Sequence, residues 1–159
     1  MNLRSSLAAL ALFAFAQSGQ ALTLNKETTL ADGRGGQMVA VTTGELGAAD
    51  ASRSTDATFS NFQPREDGGR ISGSLRREFS REVRDTESVL SGRLTLTPAA
   101  GATSSTPRVL EINDLTVTRE GDGPEFGGSV SIDGQAIPAE RLPAAIRKLL
   151  RRLVGLTQL

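Results

Sequence analysis

The middle of the chain contains segments in which apolar and polar residues alternate. The clearest is residues 89–98, VLSGRLTLTP, in which Leu90, Gly92, Leu94 and Leu96 occupy every second position. A period of two places alternate side chains on opposite faces of a β-strand. Strands with one apolar and one polar face are typical of antiparallel sheets that have one face in water.

Neighbouring segments extend this pattern. Residues 37–43 predict a short strand, residues 44–58 a loop without apolar periodicity, and residues 59–62 a further short strand. In residues 69–83 the apolar positions are four apart, which fits one face of a helix or of a strand. Gly73 and the serines of this segment favour a strand. The four apolar positions are Ile71, Leu75, Phe79 and Val83.

Residues 108–120 continue the alternation with one change of phase. Leu110 and Ile112 share a face, and Leu115 resumes the pattern one position late, so that Asn113 and Asp114 predict a β-bulge. Residues 120–128 are interpreted as a loop.

The segment SVSIDGQAIP predicts a tight hairpin. Its Asp-Gly pair, residues 133–134, favours a type I′ turn that sets Val130 opposite Ile137 and Ile132 opposite Gln135.

The stretch LPAAIRKLLRRLVGL predicts a C-terminal amphipathic helix over about residues 143–154, with Gly155 as its stop. Pro143 suits the first turn, where its missing N–H is harmless. The apolar side can cover a sheet, and the basic side can contact an anionic membrane or a partner. Covering the sheet is the favoured interpretation. The basic residues, a candidate partner or membrane contact, are Arg147, Lys148, Arg151 and Arg152.

Together these patterns predict an α+β fold. We expect a mostly antiparallel, curved sheet of about six strands, covered by one C-terminal amphipathic helix. Residues 22–159 have the length of a single domain.

The first residues predict a cleavable secretory signal peptide, residues 1–21. Arg4 precedes an apolar run over residues 7–16, and Gly19-Gln20-Ala21 fits a cleavage site after Ala21. The run is too short to cross a hydrocarbon core of ~30 Å. We therefore expect a periplasmic or secreted protein without a transmembrane span in the mature chain.

The absent residue types restrict the chemistry. The chain has no His, Cys, Trp or Tyr, so the usual zinc, copper and haem ligands and the Ser-His-Asp triad are missing. Lys26, in an N-terminus expected to be frayed, and Lys148, on an exposed helix face, are poor bases. We expect no enzyme activity, catalytic residue, metal or cofactor.

Two weaker alternatives use carboxylates. A hydrolase could use two of Glu111, Asp114, Glu120, Asp122, Glu125 and Asp133, but strand and loop acids are more often solvated. Glu120, Asp122 and Glu125 form a weak calcium candidate without the EF-hand spacing.

The remaining function classes are non-catalytic. With 18 basic and 18 acidic residues, the chain offers no electrostatic case for nucleic acid. The first expectation is a binding or cell-envelope accessory protein whose partner is another envelope protein. The alternative is a carrier of a lipid or other apolar ligand held between sheet and helix. Its candidate ligand-binding residues are Leu75, Phe79, Leu94, Leu96, Ile112, Ile146 and Leu150.

Overall fold

A computed structural model of the chain describes residues 22–47, 51–66, 68–81, 86–103, 105–120 and 123–158. This part of the chain forms nine strands, a 3₁₀ turn at Ala139–Arg141 and one helix, α1 (Ala144–Leu156). The strands are β1 (Leu22–Ala31), β2 (Gln37–Leu46), β3 (Ala51–Phe62), β4 (Arg70–Arg81), β5 (Thr86–Thr97), β6 (Arg108–Glu120), β7 (Gly123–Gly127), β8 (Ser129–Ile132) and β9 (Gln135–Pro138).

All nine strands belong to one open antiparallel sheet. From β1 to β6 each strand pairs with the next, so this part of the sheet is a simple meander. The long strand β6 then pairs with β7 along its second half and with β8 along its first half, and β9 closes a hairpin on β8. The α+β class is confirmed, whereas the expected number of about six strands is too low.

Three segments interpreted from the sequence as irregular are strands. Most of residues 44–58 belongs to β2 and β3, the supposedly frayed N-terminus is β1, and the predicted loop at residues 120–128 contains β7. Sequence periodicity missed β3 because its inward positions include small or polar residues such as Thr55 and Ala57. Whether such segments form strands depends on their pairing with neighbouring strands, since β-propensity depends strongly on context.

The predicted bulge and hairpin are both confirmed. Leu90 pairs with Leu115 and Gly92 with Ile112, so two residues of β6 oppose one of β5. Asp114, in the bulge, adopts a positive φ of 50°. In the hairpin, Asp133 and Gly134 have φ values of 52° and 84°, as a type I′ turn requires.

A single hydrophobic core joins the sheet to the helix. Inward-facing residues from β2 to β8 and three residues of α1, Leu150, Leu153 and Val154, belong to the same buried cluster. Leu150 and Leu153 are fully shielded, each 0% exposed. The apolar side of the helix therefore packs against the sheet within one core.

The helix ends slightly later than the sequence predicts. Pro143 precedes its first residue, and the helix passes through Gly155 to Leu156, so Gly155 is not the stop. The buried Thr157 follows, and its Oγ1 donates a hydrogen bond of 3.0 Å to the Val154 carbonyl oxygen. This hydroxyl satisfies one of the free carbonyls at the helix end. No helix in the described residues is long and apolar enough to cross a membrane.

Replacing Leu153 with alanine tests the contribution of the helix to the core. We expect Leu153→Ala to lower the free energy of unfolding by about 2–5 kcal/mol, because it leaves a cavity in a fully buried position. The exposed neighbour Arg151 provides the control, since Arg151→Ala should change stability by less than about 0.5 kcal/mol. Urea unfolding measures both, and equal small effects would contradict the packing of α1 in the core.

At one end of the sheet, Asp32 joins two loops. Its Oδ1 accepts hydrogen bonds from the backbone N–H of Arg34 (2.7 Å) and Gly36 (2.9 Å). Its Oδ2 accepts a bond of 2.8 Å from the Gln63 N–H, just beyond β3. Burial alone would raise the pKa of the Asp32 carboxyl. The three backbone donors, aided by the charge of Arg70, outweigh burial and hold the pKa below its usual value.

Asp32 should therefore make stability depend on pH. A lowered folded-state pKa means that its stabilisation is present above the unfolded value, about 4, and is lost as pH falls through the folded value. At pH 7 we expect Asp32→Ala to cost about 1–3 kcal/mol, through the backbone donors left without an acceptor. The difference from wild type should shrink below pH 4 in urea unfolding series. The exposed Asp56→Ala is the control, and a difference that stays constant with pH would contradict this role.

Candidate ligand-binding site

One end of the inner face is not covered by the core. The side chains here are those of Leu22, Leu24, Leu46, Arg53 and Phe79, which we call the open end. Strand alternation places them on the same face as the buried core residues, but none of the five is buried. Leu46 is 46% exposed, a large value for a leucine on the inner face of a sheet.

The strand register aligns this end as a continuous row. Leu24 pairs with Gly44, Gly44 with Arg53, Arg53 with Phe79, and Phe79 with Ser88. Gly44 contributes no side chain, so the row has a gap between Leu24 and Arg53. A Cβ at Gly44 would collide with the backbone carbonyl oxygen of Ser52, so the close strand approach requires glycine here.

An open pocket of about 730 Å³ lies at this end of β1–β5. Its lining includes Leu24, Arg53 and Phe79 from the inner face. Nine of its thirteen lining residues, among them Ser54 and Glu78, are ones that alternation assigns to the outer face, and Arg77 is not part of the lining. The Ser54 Oγ is buried and has no hydrogen-bond partner among the described residues.

Next to this row, towards the core, lie the buried polar side chains of Thr42, Thr55 and Arg77, and Ser88 is a buried polar residue of the row itself. The Oγ1 atoms of Thr42 and Thr55 share a hydrogen bond of 3.1 Å. Arg77 is only 7% exposed, and its Nη2 donates a bond of 2.8 Å to the Ser88 Oγ. Its Nε and Nη1 have no acceptor in the described part of the chain.

The electrostatic setting of Arg77 is unfavourable. Burial lowers the pKa of the Arg77 guanidinium, and the positive charge of Arg53 lowers that pKa further. An arginine nevertheless remains protonated in proteins, so Arg77 carries a buried charge with unused donors. Leaving such a charge unpaired costs several kcal/mol. Arg53 itself lies with its Cζ 5.7 Å from the centre of the Phe79 ring, a cation–π arrangement.

The predicted ligand-binding residues are mostly core residues. Leu75, Leu94, Ile112 and Leu150 are at most 1% exposed, and Leu96 and Ile146 pack against the same cluster. Phe79 alone among the seven lines the pocket. Whether the others contact a ligand stays a prediction.

The basic residues of α1 differ in exposure and contacts. Arg147 donates from Nη2 to the Glu140 carbonyl oxygen at 3.1 Å. Lys148 and Arg151 are exposed, and Arg152 is partly buried. A partner or membrane contact for this surface stays a prediction.

Three acids of the hydrolase alternative, Glu111, Asp114 and Asp133, contact residues of neighbouring strands. Glu111 lies 3.5 Å from Arg93, Asp133 lies 2.9 Å from Arg108, and Asp114 accepts a bond of 2.9 Å from Ser91. For the calcium candidate, Asp122 and the Glu120 side chain lie outside the described residues, and Glu125 is exposed on β7. No group of three potential metal-ligating side chains occurs within the described ranges.

Sequence reasoning overlooked Arg53 and Arg77. The apolar spacing of residues 69–83 contained a signal, because a strand that turns Leu75 and Phe79 inward must also turn Arg77 inward. Arg53 lay in the segment misinterpreted as a loop. Comparison with known proteins adds nothing to this assignment: no family model, curated protein or solved structure matches the chain.

Proposed function

We propose that this chain is an exported, non-catalytic binding protein that holds a small apolar or amphipathic ligand at the open end. The observation that supports it most is the uncovered inner face. Leu24, Leu46 and Phe79 remain accessible on the face that elsewhere forms a tightly buried core. Apolar side chains grouped beside a pocket are typical of ligand sites.

The shape of the sheet supports a site at this end rather than in the middle. Eight laterally paired strands laid flat would span roughly 34 Å, whereas a helix with its side chains is only about 10–12 Å wide. Inward residues from β2 to β8 are nevertheless buried in one cluster with α1. We infer that the sheet curves so that distant strands pack against one another. The interior is then filled by side chains, and free volume remains at the end.

A ligand held between sheet and helix is less well supported. Leu75, Ile112 and Leu150 are each at most 1% exposed and already contribute to the core. A ligand among them would have to displace well-packed side chains, which is costly. The open end requires no such displacement, and Phe79 belongs to both versions of the site.

Export can be tested from the mass of the protein. The first described strand begins at Leu22, so removal of residues 1–21 would leave every described element intact. In a Gram-negative host we expect the full-length gene to give a periplasmic product that begins at Leu22 by intact mass spectrometry. The variant Leu10→Arg, which interrupts the apolar run, should remain uncleaved. An uncleaved wild-type chain in the cytoplasm would contradict export.

Ligand binding can be tested on protein purified from the same compartment. Native mass spectrometry should show an added mass that disappears after denaturing extraction with organic solvent and refolding. Phe79→Ala should reduce the affinity for the extracted ligand about tenfold, because it removes apolar contact area from the pocket.

The control for that measurement is Val41→Ala, which removes a 37% exposed side chain from the outer face of β2. It should leave the affinity unchanged. Identical masses before and after extraction, with no stabilisation by a total lipid extract, would contradict the binding function.

A further inference from the structure

We propose that the open end recognises the oxyanion of an amphipathic ligand, a carboxylate or a phosphate monoester, through Arg77 and Arg53. This assignment rests on the proposed binding function and names the chemical class of its ligand. It departs from the sequence-based expectation of a purely apolar ligand.

The first support is the unused donor capacity of Arg77. A guanidinium has five N–H donors, and a carboxylate or phosphate can accept two of them side by side. Arg77 is only 7% exposed. Of its side-chain nitrogens, only Nη2 has an acceptor, the Ser88 Oγ. Buried donors normally have partners in the folded protein. The free Nε and Nη1 therefore indicate an acceptor that binds from outside the chain.

The second support is the positive charge of the side chains around the site. Arg34, Arg76, Arg93 and Arg108 each lie within 4.0 Å of an Asp or Glu oxygen. Among the side chains that the structure describes, no carboxylate lies within that distance of Arg53 or Arg77, and the two cations influence each other. Two like charges near each other are mutually unfavourable, and one shared oxyanion would reverse that effect.

The acidic lining residues do not supply the missing charge. Glu45 and Glu78 contribute to the pocket, but alternation assigns both to the outer face, opposite Arg77. Glu78 accepts a hydrogen bond of 2.9 Å from the Arg76 Nε on that outer face. Among the inner-face side chains that the structure describes at this end, the charged ones are therefore cationic.

The third support is the arrangement of apolar groups around these cations. Arg53 and Phe79 are adjacent in the register, and Leu24 lies in the same row beyond Gly44. Leu46 and Leu22 form the next row outward. An anionic head bound at Arg77 would thus have apolar side chains beside it towards the solvent. This order suits a molecule with a charged head and an apolar chain.

The test uses four probes on protein stripped of ligand. Sodium dodecanoate and dodecyl phosphate carry an oxyanion and a chain, 1-dodecanol has the chain alone, and inorganic phosphate has the anion alone. By isothermal titration calorimetry, we expect at least one of the two amphipathic anions to bind roughly 30-fold or more tightly than 1-dodecanol and than inorganic phosphate.

Binding of 1-dodecanol as tight as either anion would overturn the oxyanion assignment but leave the proposed binding function standing. Equally tight binding of inorganic phosphate would overturn the amphipathic part. If none of the four probes binds, this inference is overturned. The ligand extraction described above then tests the binding function separately.

Variants locate the contact. Arg77→Met removes the charge but keeps an apolar side chain of similar length, so the ligand-free variant should melt at the same temperature as wild type or higher. It should also bind dodecanoate and 1-dodecanol with similar affinity. Arg76→Met, on the opposite face of the same strand, is the matched control and should keep the preference for the anion.

Two outcomes of these variants would overturn the inference. A large fall in the melting temperature of ligand-free Arg77→Met would show that Arg77 is paired within the protein. Arg53→Gln provides the second variant, since Arg53 is only partly buried. Unchanged affinity of Arg53→Gln for the anionic probes would remove Arg53 from the site, and unchanged affinity of both variants would remove the site itself.

Discussion

The fold depends on how a wide sheet buries one apolar face with only one helix to help. α1 has 13 residues, while the sheet has inward-facing apolar residues from β2 to β8. Inward-facing residues of the strands from β2 to β8 nevertheless belong to one buried cluster. The helix contributes Leu150, Leu153 and Val154 to the same cluster.

This solution leaves the ends of the sheet different from its middle. Towards the open end the inner face changes from leucine and isoleucine to Thr42, Thr55, Arg77 and Ser88. These residues cannot be explained by core packing, because buried polar groups cost free energy unless their hydrogen bonds are made. The threonine pair satisfies this condition, and Arg77 satisfies it only in part. The proposed ligand site would account for the difference.

Local signals decided how much of the fold the sequence could predict. The Asp133-Gly134 hairpin, the bulge at Asp114 and the approximate extent of α1 follow from turn chemistry and short-range periodicity. β1 and β3 lack those signals because their inward positions include Lys26, Thr55 and Ala57. Such strands form because a neighbour supplies backbone partners, and that information is not local.

The candidate site was harder to predict for the same reason. Phe79 was identified as an apolar inward residue, and its place at the end of the core could not be read from spacing. The inward orientation of Arg77 could be predicted only by applying a strict two-residue strand period. Its lack of a hydrogen-bond acceptor depends on which residues the other strands bring near it. Whether a buried charge has a partner therefore depends on the strand register and cannot be predicted from its own sequence segment.

The Asp32 junction and the open end occupy opposite ends of the same strands. Asp32 lies just after β1 and bonds to the residue just after β3, whereas Leu24 and Arg53 lie near the starts of those two strands. The intervening length of β1 is about seven residues, or roughly 23 Å. Acid that protonates Asp32 thus loosens the sheet at a distance from the open end. Resistance to acid and the proposed ligand affinity consequently depend on separate parts of this molecule, and we expect that each can be changed by substitution without altering the other.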